Sequence, residues 1–162
     1  DLHLSIRRQR QMCIRDRFNT YVNDEGKTII PNRAYGHILD NNQLIVKDQY
    51  WCSATIGDGG LYSNITDLNK WIDYLLGDDF DKLKSTMFLP NVFDEKTNSY
   101  YGLGMRIINV NGCDIYYHCG DTIGTNTFIL FSKDLNLRCI FLTNLGNIDT
   151  ENLKENIINL IN

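Results

Sequence analysis

The stretch "YGLGMRIINVNGCDIYYHCGDTIGTNTFILFSKDLNLRCIFLTN", residues 101–144, decides the fold class of this chain. Asn111-Gly112 separates "YGLGMRIINV" from "CDIYYH". Asn-Gly is the dipeptide that most readily takes the two left-handed conformations of a type I′ hairpin turn. "TFILFS" and "LRCIFLTN" follow, joined by the turn residues "KDLN". Four extended, β-branched and aromatic runs with short polar turns predict an antiparallel meander. On its N-terminal side, Leu68, Trp71, Ile72, Leu75 and Leu76 recur at helical spacing, with Gly77 as a stop and Ser63 or Asn64 as N-cap. On its C-terminal side, "DTENLKENIINLIN" predicts a capped helix with Leu153, Ile157, Leu160 and Ile161 on one face. An antiparallel sheet with helices laid against it is an α+β architecture. Residues 18–50 read as polar and loop-like, with short extended pieces such as "KTIIP" and "QLIVK".

The chain has 162 residues, 43% of them hydrophobic, enough for one domain with a substantial core. No apolar run approaches the length of a membrane span. A net charge of −4 argues against nucleic acid or an anionic membrane surface as the main partner. The five cysteines are odd in number and include no Cys-x-x-Cys pair, so reduced thiols are expected rather than a zinc site or a disulfide framework.

Residues 1–17 differ in composition from the rest. They hold five of the eight arginines, whereas the remainder prefers lysine. A basic arm for an acidic partner is one reading. "RRQRQMCIRDR" also resembles translated sequencing-adapter read-through, and on that ground the credible domain is expected to begin at residue 18 and run to residue 162 as a partial domain.

Within the meander, "IYYHCGDTIG" (115–124) ends a strand on His118 and follows it with two glycines. Strand alternation sets Asp114, Tyr116 and His118 on one face and Cys113, Ile115, Tyr117 and Cys119 on the other. Adjacent residues of a strand point apart, which disfavours a His118–Cys119 catalytic dyad and makes Cys119 a small buried residue.

The order "GDGGLYSNITDLNKW", "YGLGMRI", "HCGDTIGTNTFILFSKDLNLRCIFLTN" resembles the C-terminal part of the β-lactamase-related serine hydrolases, the superfamily of class C β-lactamases, D-Ala-D-Ala peptidases and related esterases. Upstream, "NTYVNDEGKTIIPNRAYGH" is similar to another segment of that superfamily, so the resemblance covers about residues 18–162. It implies an acyl-enzyme mechanism on β-lactam, D-amino-acyl peptide or ester substrates, with a small molecule or peptide as partner and with no cofactor or metal. Such sites use the serine of Ser-x-x-Lys, a Tyr-x-Asn motif, and Lys-Thr-Gly or His-x-Gly on a strand. His118-Cys119-Gly120 matches the last of these. By that match His118 faces the substrate and the proton-transfer network, Gly120 lets the strand edge approach the ligand, and the N–H of Asp121 is one oxyanion donor. Relatives commonly carry a small residue at the place of Asp121, a departure here. Tyr35, in "RAYGH", and Cys119, as the middle of His-x-Gly, are the implied substrate-binding positions.

None of the six serines has lysine at the third position after it. Tyr21-Val22-Asn23 and Tyr62-Ser63-Asn64 both spell Tyr-x-Asn, but each stands where the resemblance places a different segment, and Ser63 and Asn64 are better explained as caps. The resemblance therefore implies a C-terminal fragment lacking the nucleophile and inactive alone. The competing expectation is a non-catalytic module of the same fold that recognises peptide or glycan. The compartment stays open: many relatives work in the periplasm or outside the cell, and no export segment is seen here.

Overall fold

The computed structural model describes residues 19–22, 29–48, 59–77 and 85–161. Residues 1–18, and with them the arm, lie outside the described residues, as does Asn23 of the first Tyr-x-Asn match. The described elements run β1 (Tyr21–Val22), β2 (His37–Asp40), β3 (Gln43–Val46), β4 (Leu61–Tyr62), α1 (Ile65–Leu76), β5 (Val92–Asp94), β6 (Ser99–Tyr101), β7 (Arg106–Val110), β8 (Cys113–Thr122), β9 (Thr125–Ser132), β10 (Leu137–Thr143) and α2 (Thr150–Asn159). The class is α+β, as expected.

The chain divides into two compact units. The second comprises residues 72–120, 127–141 and 148–162 and carries most of a six-stranded sheet, ordered β10-β9-β8-β7-β6-β5. Each consecutive pair from β5 to β8 is antiparallel, with Ile108 opposite Ile115, Arg106 opposite Tyr117 and Ile107 opposite Tyr116. The β7–β8 turn is the expected one: Asn111 (φ 52°) and Gly112 (φ 85°) are both left-handed.

One face of this sheet is packed by α2. Val110, Ile115, Tyr117, Phe128 and Leu130 are buried there, with Cys119, Phe141, Leu153, Ile157, Ile158 and Ile161 against them. Phe128 and Phe141 stack with ring centroids 5.3 Å apart. Burying such a side chain stabilises by about 1.5–3 kcal/mol, so this layer dominates the unit. Asp149 caps α2 by accepting from the Asn152 N–H at 2.9 Å. The expected apolar face of α2 needs one correction. Leu160 is 87% exposed, because the helix ends at Asn159 and the chain turns there; Ile158 packs in the core instead. On the other face Tyr116 packs against Phe88 (4.3 Å) and Phe131 (5.7 Å).

A second correction concerns "YGLGMRIINV", expected as one strand. The structure breaks it into β6 and β7, joined by a turn in which the Gly102 N–H donates to the Met105 carbonyl at 2.8 Å. Gly104 takes φ 82°, and a Cβ on Gly102 would collide with the Met87 carbonyl. The glycines of Gly-Leu-Gly make this turn possible and add β5 and β6 to the sheet.

The first unit comprises residues 1–71, 121–126 and 142–147. Its described strands are short: β1 pairs with β4, and β2 with β3 across an Asn41-Asn42 turn whose residues are both left-handed. Residues 36–37 are clamped by backbone bonds: the His37 N–H reaches the carbonyls of Gly124 (3.1 Å) and Asn144 (2.9 Å), and the Gly146 N–H reaches the His37 carbonyl (2.7 Å). Gly124, at φ 73°, presses on Gly36 and on the Lys47 carbonyl so closely that any Cβ there would overlap both.

The N-cap of α1 is Asn64, whose side chain accepts from the Asp67 N–H at 2.8 Å. Asp67, in the first turn of α1, is 2% exposed and accepts from the Asn19 N–H (3.0 Å) and the Thr20 hydroxyl (2.9 Å). It ties the chain before β1 to the start of the helix. Further along, Ile72 and Leu75 of the expected stripe are fully buried.

Candidate active site

The residues singled out by the sequence lie mainly on β8. Ile115, Tyr117 and Cys119 point to the α2 side, and Tyr116 to the opposite side, so the expected alternation holds along this strand. His118 is half-buried, and its Nε2 lies 3.4 Å from the Tyr101 hydroxyl. The two rings are 6.5 Å apart at 59°.

Tyr101 is itself held. The Arg106 guanidinium sits over its ring at 5.2 Å, within cation–π range. That guanidinium donates to Asp94 (2.7 Å) and to the hydroxyls of Thr97 (2.8 Å) and Ser99 (3.4 Å). The Arg106 bond keeps the Asp94 carboxyl below its ordinary value.

Cys119, expected as a substrate-binding position, presents its thiol to the α2 layer and not to the face of Tyr116. Burial first, then the neighbouring Glu151 carboxylate, pushes the thiol up to about 11, so it is protonated and unreactive at neutral pH. The charges beside it belong to α2. Lys154 pairs with Glu151 and lies 4.4 Å over the Tyr117 ring. Burial works against both charges, but their mutual bond prevails and holds Glu151 below, and Lys154 above, its ordinary value.

Gly120 has a local reason to be glycine. A Cβ there would sit 2.6 Å from the Thr127 Oγ1, which donates to the Gly120 carbonyl at 3.5 Å. The side chain of Asp121 is exposed and accepts from Asn126 Nδ2 at 3.0 Å, which draws the carboxylate toward β9.

Tyr35 belongs to the first unit. Its ring is 57% exposed, with the Arg33 guanidinium 5.0 Å above it, and its carbonyl accepts from Asn144 Nδ2 at 3.0 Å. Arg33 also pairs with Asp48 and lies 4.6 Å over the Tyr62 ring. The two Tyr-x-Asn matches turn out to be neighbours: Tyr21 and Tyr62 face each other across β1 and β4. Ser63 bonds Thr20 at 2.9 Å and Asn64 caps α1, so the second match is occupied by structural work.

Sequence reasoning passed over Tyr101, Arg106 and Thr127. No local pattern marks them, because their contacts form between strands of the sheet. Among the described residues there is no group of three His, Cys, Asp or Glu that could hold a metal, and no helix long and apolar enough to cross a membrane. Cys113, Cys119 and Cys139 are free thiols. A cavity of about 310 Å³ is lined by Asn98, Asn109, Tyr117, Lys154 and neighbouring residues, and includes none of the expected site residues.

A family model described as Beta-lactamase matches residues 9–160. Among solved structures, the chain is similar to the penicillin binding protein from Bacillus halodurans, at 19% identity and a TM-score of 0.67, over 87% of this chain and 44% of that one. It is also similar to the octameric penicillin-binding protein homologue from Pyrococcus abyssi, at 23% identity and a TM-score of 0.61, over 78% of this chain and 30% of that one. No curated protein matches. The chain thus spans less than half the length of either solved relative, and identities this low establish the shared fold.

Proposed function

Since the chain belongs to the Beta-lactamase family, we propose that it is the C-terminal part of a serine hydrolase that forms an acyl-enzyme with a β-lactam, a D-amino-acyl peptide or a small ester. Residues 18–162 contribute the strand that walls the acyl-transfer pocket. On that strand His118 stands beside the reacting acyl group and takes part in proton transfer, and the N–H of Asp121 is one of two donors to the oxyanion. Donors held in place before the reaction stabilise that charge most, and a strand edge fixed by its neighbours is a rigid mount for one.

The observation that supports this reading best is the contrast between two neighbouring residues at the end of β8. Cys119 packs against the α2 layer with a raised pKa, while Nε2 of the neighbouring His118 lies 3.4 Å from the Tyr101 hydroxyl. On this reading the imidazole serves the ligand and the thiol takes no part in the chemistry. Asp121 is accommodated because Asn126 engages its carboxylate, so the charge need not point at an acyl oxygen.

The nucleophile is the serine of a Ser-x-x-Lys motif, and no serine of this chain stands in one. A hydroxyl without an adjacent base is a poor nucleophile, so this polypeptide alone turns over neither nitrocefin nor p-nitrophenyl acetate. Stopped-flow hydrolysis with intact-mass detection of an acyl adduct tests this. Rates equal to buffer and an unmodified mass are expected. A burst of product that disappears in His118→Ala would show that the chain carries its own nucleophile.

A further inference from the structure

We infer that Tyr101 is a positioning residue for His118, fixing the imidazole in the tautomer that carries its proton on Nδ1. The inference rests on the reading of His118 as a pocket residue and adds the protonation state in which it works.

The contact between the Tyr101 hydroxyl and His118 Nε2, at 3.4 Å, can run in two senses. Either the phenol donates to a bare Nε2, or Nε2–H donates to the phenol oxygen. Acid–base matching separates them. A phenol loses its proton near a pKa of about 10, and the conjugate acid of imidazole near about 6.5. Phenol O–H to imidazole N therefore joins a good donor to a good acceptor. The reverse joins a weakly acidic ring N–H to a weakly basic phenol oxygen.

The hydroxyl is also held in place. Asp94, Thr97 and Ser99 grip the Arg106 guanidinium, and the guanidinium grips the ring, so three side chains from β5 to β6 locate one phenol through one arginine. A partner on one ring nitrogen sets which nitrogen bears the proton, and with it the orientation of the ring. His118 then carries Nδ1–H as its donor, while Nε2 takes its hydrogen bond from Tyr101.

Nitrogen-15 NMR of the full chain reads the tautomer directly, with His118 assigned from its missing signals in His118→Gln. The expected wild-type spectrum at neutral pH shows protonated Nδ1 and an acceptor-type Nε2. In Tyr101→Phe the ratio is expected to move about fivefold toward the Nε2–H form, the equivalent of one ordinary hydrogen bond. A wild-type spectrum dominated by Nε2–H, or an unchanged ratio in Tyr101→Phe, would overturn the inference. The wild-type result decides even if the variant does not fold. Neither arm uses a substrate or a turnover assay, so this inference and the hydrolase reading fail by different measurements.

Discussion

The two units of this chain are held together by different physics. The second unit rests on side chains: an α2 layer of Leu153, Ile157, Ile158 and Ile161 packs on a sheet face built from Val110, Ile115, Tyr117, Phe128 and Leu130. The first rests on backbone and polar contacts: Gly124 against Gly36 and Lys47, Arg33 paired with Asp48, and Asp67 accepting from Asn19 and Thr20. Its β2–β3 hairpin leaves Leu44 67% and Val46 63% exposed. A packed apolar layer tolerates a change of shape poorly but a change of backbone somewhat better; a glycine crossing does the reverse.

That contrast can be broken most strongly in the core. Phe128→Ala removes a fully buried ring and its stacking partner's contact, with an expected loss of about 3–5 kcal/mol in urea unfolding. Gly124→Ala should cost about 2–3 kcal/mol without opening any cavity, since the added methyl overlaps the Lys47 carbonyl and φ is positive. Amide exchange distinguishes the two substitutions. Phe128→Ala should speed exchange in β8 and β9, whereas Gly124→Ala should first release the His37 and Gly146 amides.

Next in size is the Glu151–Lys154 pair beside Cys119. Glu151→Gln is expected to cost about 1–2 kcal/mol, discounted because the carboxylate is half-exposed. The pH signature has two signs. The Glu151 carboxyl is held low, so its contribution is full above the ordinary carboxylate value and lost as pH falls through the lowered one. Lys154 is held high, so its contribution is full below the ordinary lysine value and lost as pH rises through the raised one. The acid limb of a melting-temperature profile should therefore flatten in Glu151→Gln. Leu44→Ser lies at the small end, within about 0.5 kcal/mol, because its side chain is already largely in water. A loss of several kcal/mol there would mean that the hairpin is buried in solution.

Much of the second unit could be read from residues alone. Asn111-Gly112 announces its turn by chemistry that needs no tertiary context, and the spacing of Leu68 to Leu76 announces α1. The β6–β7 break was concealed because Gly102 and Gly104 sit inside an apolar run, and only the approach of the Met87 carbonyl reveals why a turn forms there. Leu160 was misplaced because periodicity does not say where a helix stops. The candidate site was partly legible. His118 and Gly120 stand out by motif, and the burial of Cys119 follows from alternation. Tyr101 and Arg106 could not be found this way, since their contacts depend on pairing across β6, β7 and β8, which no local pattern encodes.

The account stands on His118, Gly120 and Asp121 being a ligand-facing strand end. Titrating the isotopically labelled chain with benzylpenicillin, and separately with an acyl-D-alanyl-D-alanine peptide, tests this without requiring a nucleophile. Shifts concentrated in the Gly120 and Asp121 amides and the His118 imidazole, and abolished in His118→Ala, are predicted. Signals there that stay unmoved at millimolar ligand, or that move less than those of the β2–β3 hairpin, would contradict it.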